Sequence, residues 1–362
     1  MGVLTDPTLT ARPDSAAQGT LPPQASGPTT LLSVTRHPRV DRSAPDADDQ
    51  VADAVRQLLS DLGPDLLTGP LPPLWRTLAA LGHADLAVAR LAEGHADAVR
   101  ILHEAGRSPA PGQVYGVWAS ASGGTGLTAT RTAAGWDVNG TMRFCSGAWF
   151  LDRALTVIAT DEGKLLVDVD VRAPGLTRLD DTWPALGMDA SRSVDIEVHS
   201  LAVPGEAVVG GPGFYLDRPG FTIGGAGVAA VWLGGAHGVL RSLLDTTTPE
   251  RASAHQLAHL GAMAVAISSA DALLARLAGT AGAGLDPADM TAARSAVELA
   301  VLEVLARAPR VTGPNGLARN GEIAHRLADL EVYVRQHHAE ADYEQVGARL
   351  LETGSLLGRG FR

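Results

Sequence analysis

A change in hydrophobic periodicity along the chain constrains the fold most strongly. In residues 51–62, apolar side chains recur every three to four positions, which is the spacing of an amphipathic helix. Residues 113–210 instead contain short alternating runs such as WDVNGTMRF and VDIEVHSLAV, which are typical of antiparallel strands. After Pro219 the chain returns to long segments rich in Ala and Leu. The sequence therefore predicts a mainly α protein with a central β domain.

The same pattern divides the chain into four regions. Residues 1–45 hold seven prolines and no sustained apolar period, so we expect a disordered tail. A short N-terminal helical domain is expected over 46–112, a β domain over 113–217 and a C-terminal helical domain over 218–362. Within the last region, the spacing predicts helices over 221–245, 250–279, 286–308 and 320–352, with the segment TGPNG breaking the chain before the fourth.

Charge and cysteine content narrow the possible partners. The 362 residues carry a net charge of −11, with 29 basic and 40 acidic side chains, and no long basic run. Because contacts to a phosphate backbone need clustered Lys and Arg, we expect no nucleic-acid partner. The single cysteine, Cys145, allows no intramolecular disulfide and suits a reducing compartment. The start MGVLTDPT lacks the features of a signal peptide, so a cytoplasmic protein is expected.

One segment approaches the length of a membrane span. Residues 219–240, PGFTIGGAGVAAVWLGGAHGVL, carry no formal charge. Their glycines, their histidine and the absence of a basic flank favour a buried central helix instead. No membrane association is expected.

Two short motifs match ligand-binding patterns, but the residues around them do not support ligand binding. Gly225, Gly227 and Ala230 match the pattern G-x-G-x-x-A, but no strand precedes them, so close helix packing is the favoured interpretation. His255 and His259 share one helical face in HQLAH, yet Gln256 stands where a zinc peptidase has its glutamate base, and no third ligand lies nearby. We expect no metal site.

Three stretches resemble the acyl-CoA dehydrogenase family. Residues 118–147, WASASGGTGLTATRTAAGWDVNGTMRFCSG, resemble the flavin-binding stretch of that family. Residues 185–210 resemble its strand that ends in V-P, and residues 311–329, VTGPNGLARNGEIAHRLAD, resemble its glycine-rich loop and the helix carrying R-D. The resemblance implies an N-terminal helical domain, a β barrel and a C-terminal four-helix bundle.

The resemblance also implies a cofactor and an assembly. FAD would lie between the β domain and the C-terminal bundle, with its ADP portion extending toward a neighbouring subunit, so a homodimer or homotetramer is expected. Pro314 replaces a glycine of the family's loop, and Arg251 is the candidate for the family's pyrophosphate-binding arginine. The residues that the resemblance assigns to the cofactor are Trp118, Ala119, Ser120, Thr125, Phe144 and Ser146, together with Gly313, Asn315 and Gly316 of the loop.

The position of the catalytic base departs from the family. Many members carry a glutamate eight residues after the R-D aspartate, and here Asp329 is followed at that distance by His337. Glu340 lies three residues further along the same predicted helix. Flavin monooxygenases of this fold carry a histidine near this position, which His338 resembles, and the segment FCSG at 144–147 also resembles those enzymes. Glu340, His337 and His338 are therefore the candidate catalytic residues. Some relatives carry the base on an earlier helix of the bundle, where Glu298 and Glu303 are the alternatives.

Three functions remain open from the sequence. The first is an FAD-dependent oxidoreductase that acts on a CH–CH bond of an acyl-CoA or acyl-carrier-protein thioester, removing the α proton and passing the β hydride to flavin. Its electron acceptor would be a protein such as an electron-transfer flavoprotein. The second is a flavin-dependent monooxygenase. The third is a family member that has kept the fold for a binding or structural role.

Overall fold

The computed structural model describes residues 30–32, 47–120, 126–280 and 286–360. Its N-terminal domain is helical, as predicted. The helices are α1 (Ala47–Asp61), α2 (Pro64–Thr68), α3 (Leu71–Ala84) and α4 (Leu86–Glu104). Asp85 caps α4, because its carboxylate accepts hydrogen bonds from the N–H groups of Ala87 and Val88 at 2.9 and 3.2 Å. This cap fixes where α4 begins, and α4 later forms one wall of the main cleft.

The central domain is one eight-stranded sheet. Its strand order is β6-β7-β3-β2-β4-β5-β8, and β1 pairs with β4 beside that path. The predicted antiparallel pairing is wrong for two pairs, since β1 and β2 each run parallel to β4. Alternation identifies the strands, but partners this far apart in sequence are chosen by the tertiary fold. The strands are β1 (Tyr115–Trp118), β2 (Leu127–Thr132), β3 (Gly135–Cys145), β4 (Arg153–Thr160), β5 (Gly163–Asp170), β6 (Leu176–Leu179), β7 (Val194–Pro204) and β8 (Val208–Val209).

The C-terminal domain consists of long packed helices around a central one. Helix α6 packs against α3 of the N-terminal domain and against α7, α8 and α9. The helices are α5 (Phe214–Asp217), α6 (Phe221–Thr246), α7 (Ala254–Thr280), α8 (Pro287–Arg319), α9 (Gly321–Tyr333) and α10 (Glu340–Thr353).

Two of these helices are long and apolar enough to cross a membrane. In α6 the most apolar 18-residue window is 78% buried, which identifies it as the core helix that the sequence predicts. The corresponding window of α7 is only 33% buried. Leu257 and Val265 on α7 are exposed, so this helix presents apolar side chains to its surroundings.

The C-terminal helices agree with the prediction in one place and differ from it in another. Gly313 has a φ of +64° and a ψ of −175°, which is non-helical, so the TGPNG segment interrupts α8 where the sequence predicts a break. The predicted helix over 320–352 is wrong, because α9 ends at Tyr333, a short 3₁₀ turn covers Val334–Gln336, and Ala339 has a φ of +50°. Residues 337–339 therefore form a turn before α10.

Part of the predicted tail is described. Thr30 and Leu31 lie against α7, where the N–H of Leu31 donates to Asp271 Oδ1 at 2.7 Å and the Leu31 side chain is fully buried. These residues pack on the helical domain. The remainder of the predicted tail, 1–29 and 33–45, lies outside the described residues.

Candidate active site

A cleft of about 930 Å³ lies where the sheet meets the helices of both flanking domains. Its walls come from α4, the end of β1, the end of β3, the segment before β7, and helices α5, α6, α8, α9 and α10. A cavity of this size suits a ligand as large as a flavin or a drug-sized substrate. It is the candidate active site.

The ends of β1 and β3 and the segments that follow them form one wall of the cleft. Most of the residues that the resemblance assigns to the cofactor lie there. Trp118, Ala119, Ser120, Phe144 and Ser146 all line the cleft, as their assignment requires. Their roles toward a cofactor stay predictions.

The end of β3 is bent where it meets the cleft. The register of β3 against β7 shifts between Met142 and Cys145, and Phe144 has a φ of +58°. This left-handed conformation is uncommon for a bulky side chain and marks a β-bulge. It leaves Phe144 47% exposed, with its ring in an edge-to-face contact with Trp183 at 6.1 Å between centroids.

Hydroxyl groups behind this bend form a buried chain. Ser193 Oγ donates to Ser146 Oγ at 2.9 Å, and the hydroxyl oxygens of Ser191 and Ser193 are 2.8 Å apart. The backbone oxygen of Ser146 accepts a hydrogen bond from Trp118 Nε1 at 3.0 Å. Ser146 is therefore held from both its hydroxyl and its backbone at the cleft wall.

The three candidate catalytic residues face different surroundings. His337 is 6% exposed and does not line the cleft; its Nε2 lies 2.9 Å from Ser295 Oγ and its Nδ1 accepts from the N–H of Ala339 at 3.1 Å. Burial lowers the pKa of His337. Glu340 lies on the exposed first turn of α10, outside the residues that line the cleft. Only His338 lines the cleft.

A buried carboxylate orients His338. Asp342 is 5% exposed, and its Oδ1 lies 3.1 Å from Nδ1 of His338, while its Oδ2 accepts a hydrogen bond from the His338 N–H at 3.1 Å. Asp342 also faces Arg294 Nε at 3.8 Å. The Asp342 contact occupies one ring nitrogen of His338 and leaves the other for a ligand or solvent.

A second cavity gathers the residues of the predicted nucleotide loop. About 430 Å³ in volume, it is lined by Asn315 and Gly316 together with Arg251, Gln256 and Arg319. Gln256 Nε2 donates to the oxygen of Val311 at 2.9 Å, which ties the start of α7 to the kinked end of α8. Gly313 forms the kink but does not line this cavity. Thr125 lies outside the described residues.

Comparison with known proteins gives matches in structure alone. No protein-family profile and no curated protein matches the sequence. The dibenzothiophene monooxygenase TdsC of Paenibacillus sp. A11-2, in complex with FMN and indole, is similar with a TM-score of 0.73 at 19% identity, over 86% of this chain and 92% of that chain. Glutaryl-CoA dehydrogenase of Mycobacterium smegmatis gives 0.72 at 18% identity, over 87% and 92%. XiaF of Streptomyces sp., in complex with FADH2 and glycerol, gives 0.69 at 20% identity, over 85% and 88%.

The chain has the acyl-CoA dehydrogenase fold.

The predicted helical, β and helical order is confirmed by this fold, which dehydrogenases and flavin monooxygenases share. The prediction that failed is the single helix over 320–352, on which the candidate catalytic base was placed. Counting eight residues from Asp329 assumed one continuous helix, but α9 ends at Tyr333. His337 and Glu340 therefore lie on different elements, and neither lines the cleft of this acyl-CoA dehydrogenase fold.

Sequence reasoning missed a charged cluster that helix α4 contributes to the cleft. Glu93 of α4 lines the cleft and is 6% exposed, with Arg90 Nη1 at 2.9 Å and the Tyr333 hydroxyl at 3.4 Å from its Oε2. Burial raises the pKa of Glu93 to about 7, although Arg90 and the hydrogen bond from Tyr333 lower it. The signal in the sequence was an Arg and a Glu three residues apart inside the segment LAVARLAEGHADAV, whose other positions are mostly small or apolar.

Proposed function

We propose that this chain is a flavin-dependent oxidoreductase that binds its flavin in the main cleft and acts as a monooxygenase on a small aromatic substrate. One observation carries the choice of reaction. His338, oriented by buried Asp342, lines the cleft with a side chain that is 75% exposed, whereas neither Glu340 nor His337 lines it. Of the three candidate catalytic residues, the one at the cleft is therefore an imidazole and not a carboxylate.

The residues of the cleft fit a flavin. Phe144 and Trp183 present aromatic surface to the cleft, which a planar ring system would cover. Ser146 is held close to the same surface by Ser193 and Trp118. When bound and reduced, a flavin supplies the electrons that activate oxygen. The protein would hold the ring against the strand wall, exclude water from it and exchange a proton at His338.

An aromatic substrate suits the aromatic side chains that the helices contribute to the cleft. Tyr215, Phe221 and Tyr333 line it from α5, α6 and α9. The ring of Tyr215 contacts that of Phe221 edge to face at 5.5 Å between centroids. Such walls favour a flat ligand. TdsC, whose fold is similar, forms a complex with FMN and indole, which supports the same class of ligand here.

A second candidate function is the acyl-thioester dehydrogenase that the sequence resembles. The second cavity favours it, since Arg251 and Arg319 lie beside Asn315 and Gly316 and suit the pyrophosphate of FAD held by a partner subunit. Acyl-CoA or an acyl carrier protein would then be the substrate, and an electron-transfer flavoprotein a candidate acceptor. The exposed apolar face of α7 supports a homo-oligomer in both cases.

One experiment separates these functions. The purified protein is titrated anaerobically with FMN and with FAD, and each complex is followed by flavin absorbance. Each complex is then reduced chemically, and oxygen and indole are added, with ¹⁸O₂ as the label in any hydroxylated product. Labelled product supports the monooxygenase. Bleaching of oxidised flavin by a panel of acyl-CoAs, with no labelled product, supports the dehydrogenase. Failure to bind either flavin contradicts both and leaves the binding or structural role.

A further inference from the structure

Glu93 is a buried carboxyl that lines the cleft from helix α4. Its side chain is 7% exposed and forms an ion pair with Arg90 at 2.9 Å. The Tyr333 hydroxyl donates to the same carboxylate oxygen at 3.4 Å. The acyl-CoA dehydrogenase resemblance assigns Glu93 no role, and the role proposed for His338 does not involve it.

We propose that Glu93 is a second proton-exchanging residue of the cleft, with Arg90 and Tyr333 controlling its charge. This proposal rests on the proposed function, because the bound substrate supplies the proton. In the step we assign to it, the Glu93 carboxylate accepts a proton from an O–H, N–H or C–H group of the substrate. One bond to that hydrogen breaks, a carboxyl O–H bond forms, and the electron pair stays on the substrate. The proton returns to the product or leaves to solvent through the cleft.

The groups around Glu93 suit a carboxyl that changes charge. Arg90 and Asp97 face it from α4, Tyr333 from α9 and Arg294 from α8. The two arginines favour the carboxylate, while burial and Asp97 favour the neutral acid. These opposing effects leave the carboxyl close to balance between its two forms near neutral pH, which is the condition for efficient proton transfer.

The ionic surroundings also explain why proton uptake need not disrupt the fold. Arg90 Nε has no hydrogen-bond partner among the described residues, although the atom is buried. Arg218 on the same wall is paired with Asp97 and Glu104, at 3.3 Å each. When Glu93 is protonated, its Oε2 can still accept from Arg90 and Tyr333, so these two hydrogen bonds persist.

The first test measures the carboxyl directly, without flavin or substrate. Infrared difference spectra of the full chain are recorded as the pH is stepped from about 5 to about 9, the range in which a base tuned for neutral pH titrates. A carboxyl C=O band that disappears near pH 7 is expected in the wild type and in Glu162→Gln, whose side chain is exposed. It should be absent in Glu93→Gln. In Tyr333→Phe the band should disappear about half a unit to one unit higher, because the removed hydrogen bond favoured the carboxylate. No such band, or one that persists in Glu93→Gln, overturns the proposal.

The second test connects the carboxyl to turnover. With the flavin-loaded protein, indole, oxygen and a reductant for the flavin, kcat/KM should rise with pH through about 7 in the wild type, since a base must be ionised to act. In Glu93→Gln this rise should be lost and kcat/KM should fall about 100-fold, while FMN affinity stays the same. A profile in Glu93→Gln that matches the wild type overturns the proposal. If the protein oxidises no substrate, the proposed function fails, and the infrared titration alone decides whether Glu93 exchanges a proton.

Discussion

Gly234 of α6 lies directly against the backbone of Ala79 in α3: a Cβ atom at position 234 would stand 2.0 Å from the Ala79 carbonyl oxygen. The contact is reciprocated, because a Cβ at Gly82 of α3 would stand 2.2 Å from the carbonyl oxygen of Val231. The two helices therefore cross with their backbones in contact. Since α3 and α6 belong to the N-terminal and C-terminal domains, this crossing joins the domains that enclose the cleft.

Gly234→Ala should therefore destabilise the protein. The added methyl group would overlap the Ala79 carbonyl oxygen, so the two helices must separate. We expect this to lower the free energy of unfolding by about 1–3 kcal/mol. Gly347→Ala on α10 is the matched control, because a Cβ there meets nothing within 4 Å. We expect that control to gain up to about 1 kcal/mol from helix propensity. Thermal melts of both variants test the idea, and equal melting temperatures would contradict it.

His338→Asn should abolish most product formation and leave flavin affinity unchanged. The imidazole lines the cleft and is oriented by Asp342, so its loss removes proton transfer, for which a decrease of about 100-fold is typical. Rates of labelled-product formation and flavin titrations give the two quantities. Glu340→Gln is the informative comparison: loss of acyl-CoA bleaching in that variant would favour the base that the sequence predicts.

Acid stability should depend on a histidine pair between α3 and α6. The rings of His83 and His237 lie 4.8 Å apart between centroids, and burial, with a contribution from His237, lowers the pKa of His83 from 6.5 to about 4. Between these values the unfolded chain binds a proton that the folded chain does not. Stability is therefore lost as the pH falls from about 6.5 to about 4.

His83→Gln should reduce that loss. Urea unfolding at pH about 7 and about 4.5 gives the difference in free energy for each variant. His199→Gln is the control, since the His199 side chain is 71% exposed. An equal loss of stability in His83→Gln and the wild type would rule out this histidine as the source.

Arg319→Gln should weaken FAD binding more than FMN binding. Arg319 lines the second cavity, away from the main cleft, and only FAD carries the adenylate and second phosphate that could reach it from a partner subunit. We expect about a tenfold increase in the Kd for FAD, which corresponds to the loss of one charged hydrogen bond. Flavin titrations above and below the concentration at which oligomers dissociate provide the measurement. An equal increase in the Kd for FMN would show that Arg319 does not act through the adenylate or the second phosphate of FAD.

Local signals in the sequence determined much of the architecture. The apolar period at 51–62 predicted helix α1, alternation located most of the strands, and the uncharged run at 219–240 predicted the buried helix α6. These features depend on the pattern of residues close in the chain, so the sequence by itself carries them. The resemblance likewise identified Phe144 and Ser146 as residues of the cleft wall.

The tertiary structure decided the chemistry of the cleft. Parallel pairing of β1 with β4 and the left-handed conformation of Phe144 arise from contacts between distant strands. The end of α9 at Tyr333 turns Glu340 away from the cleft and leaves His338 at it. Burial in the assembled fold raises the pKa of Glu93 to about 7. Burial is a property of the assembled fold, and for this reason no local pattern could reveal that carboxyl.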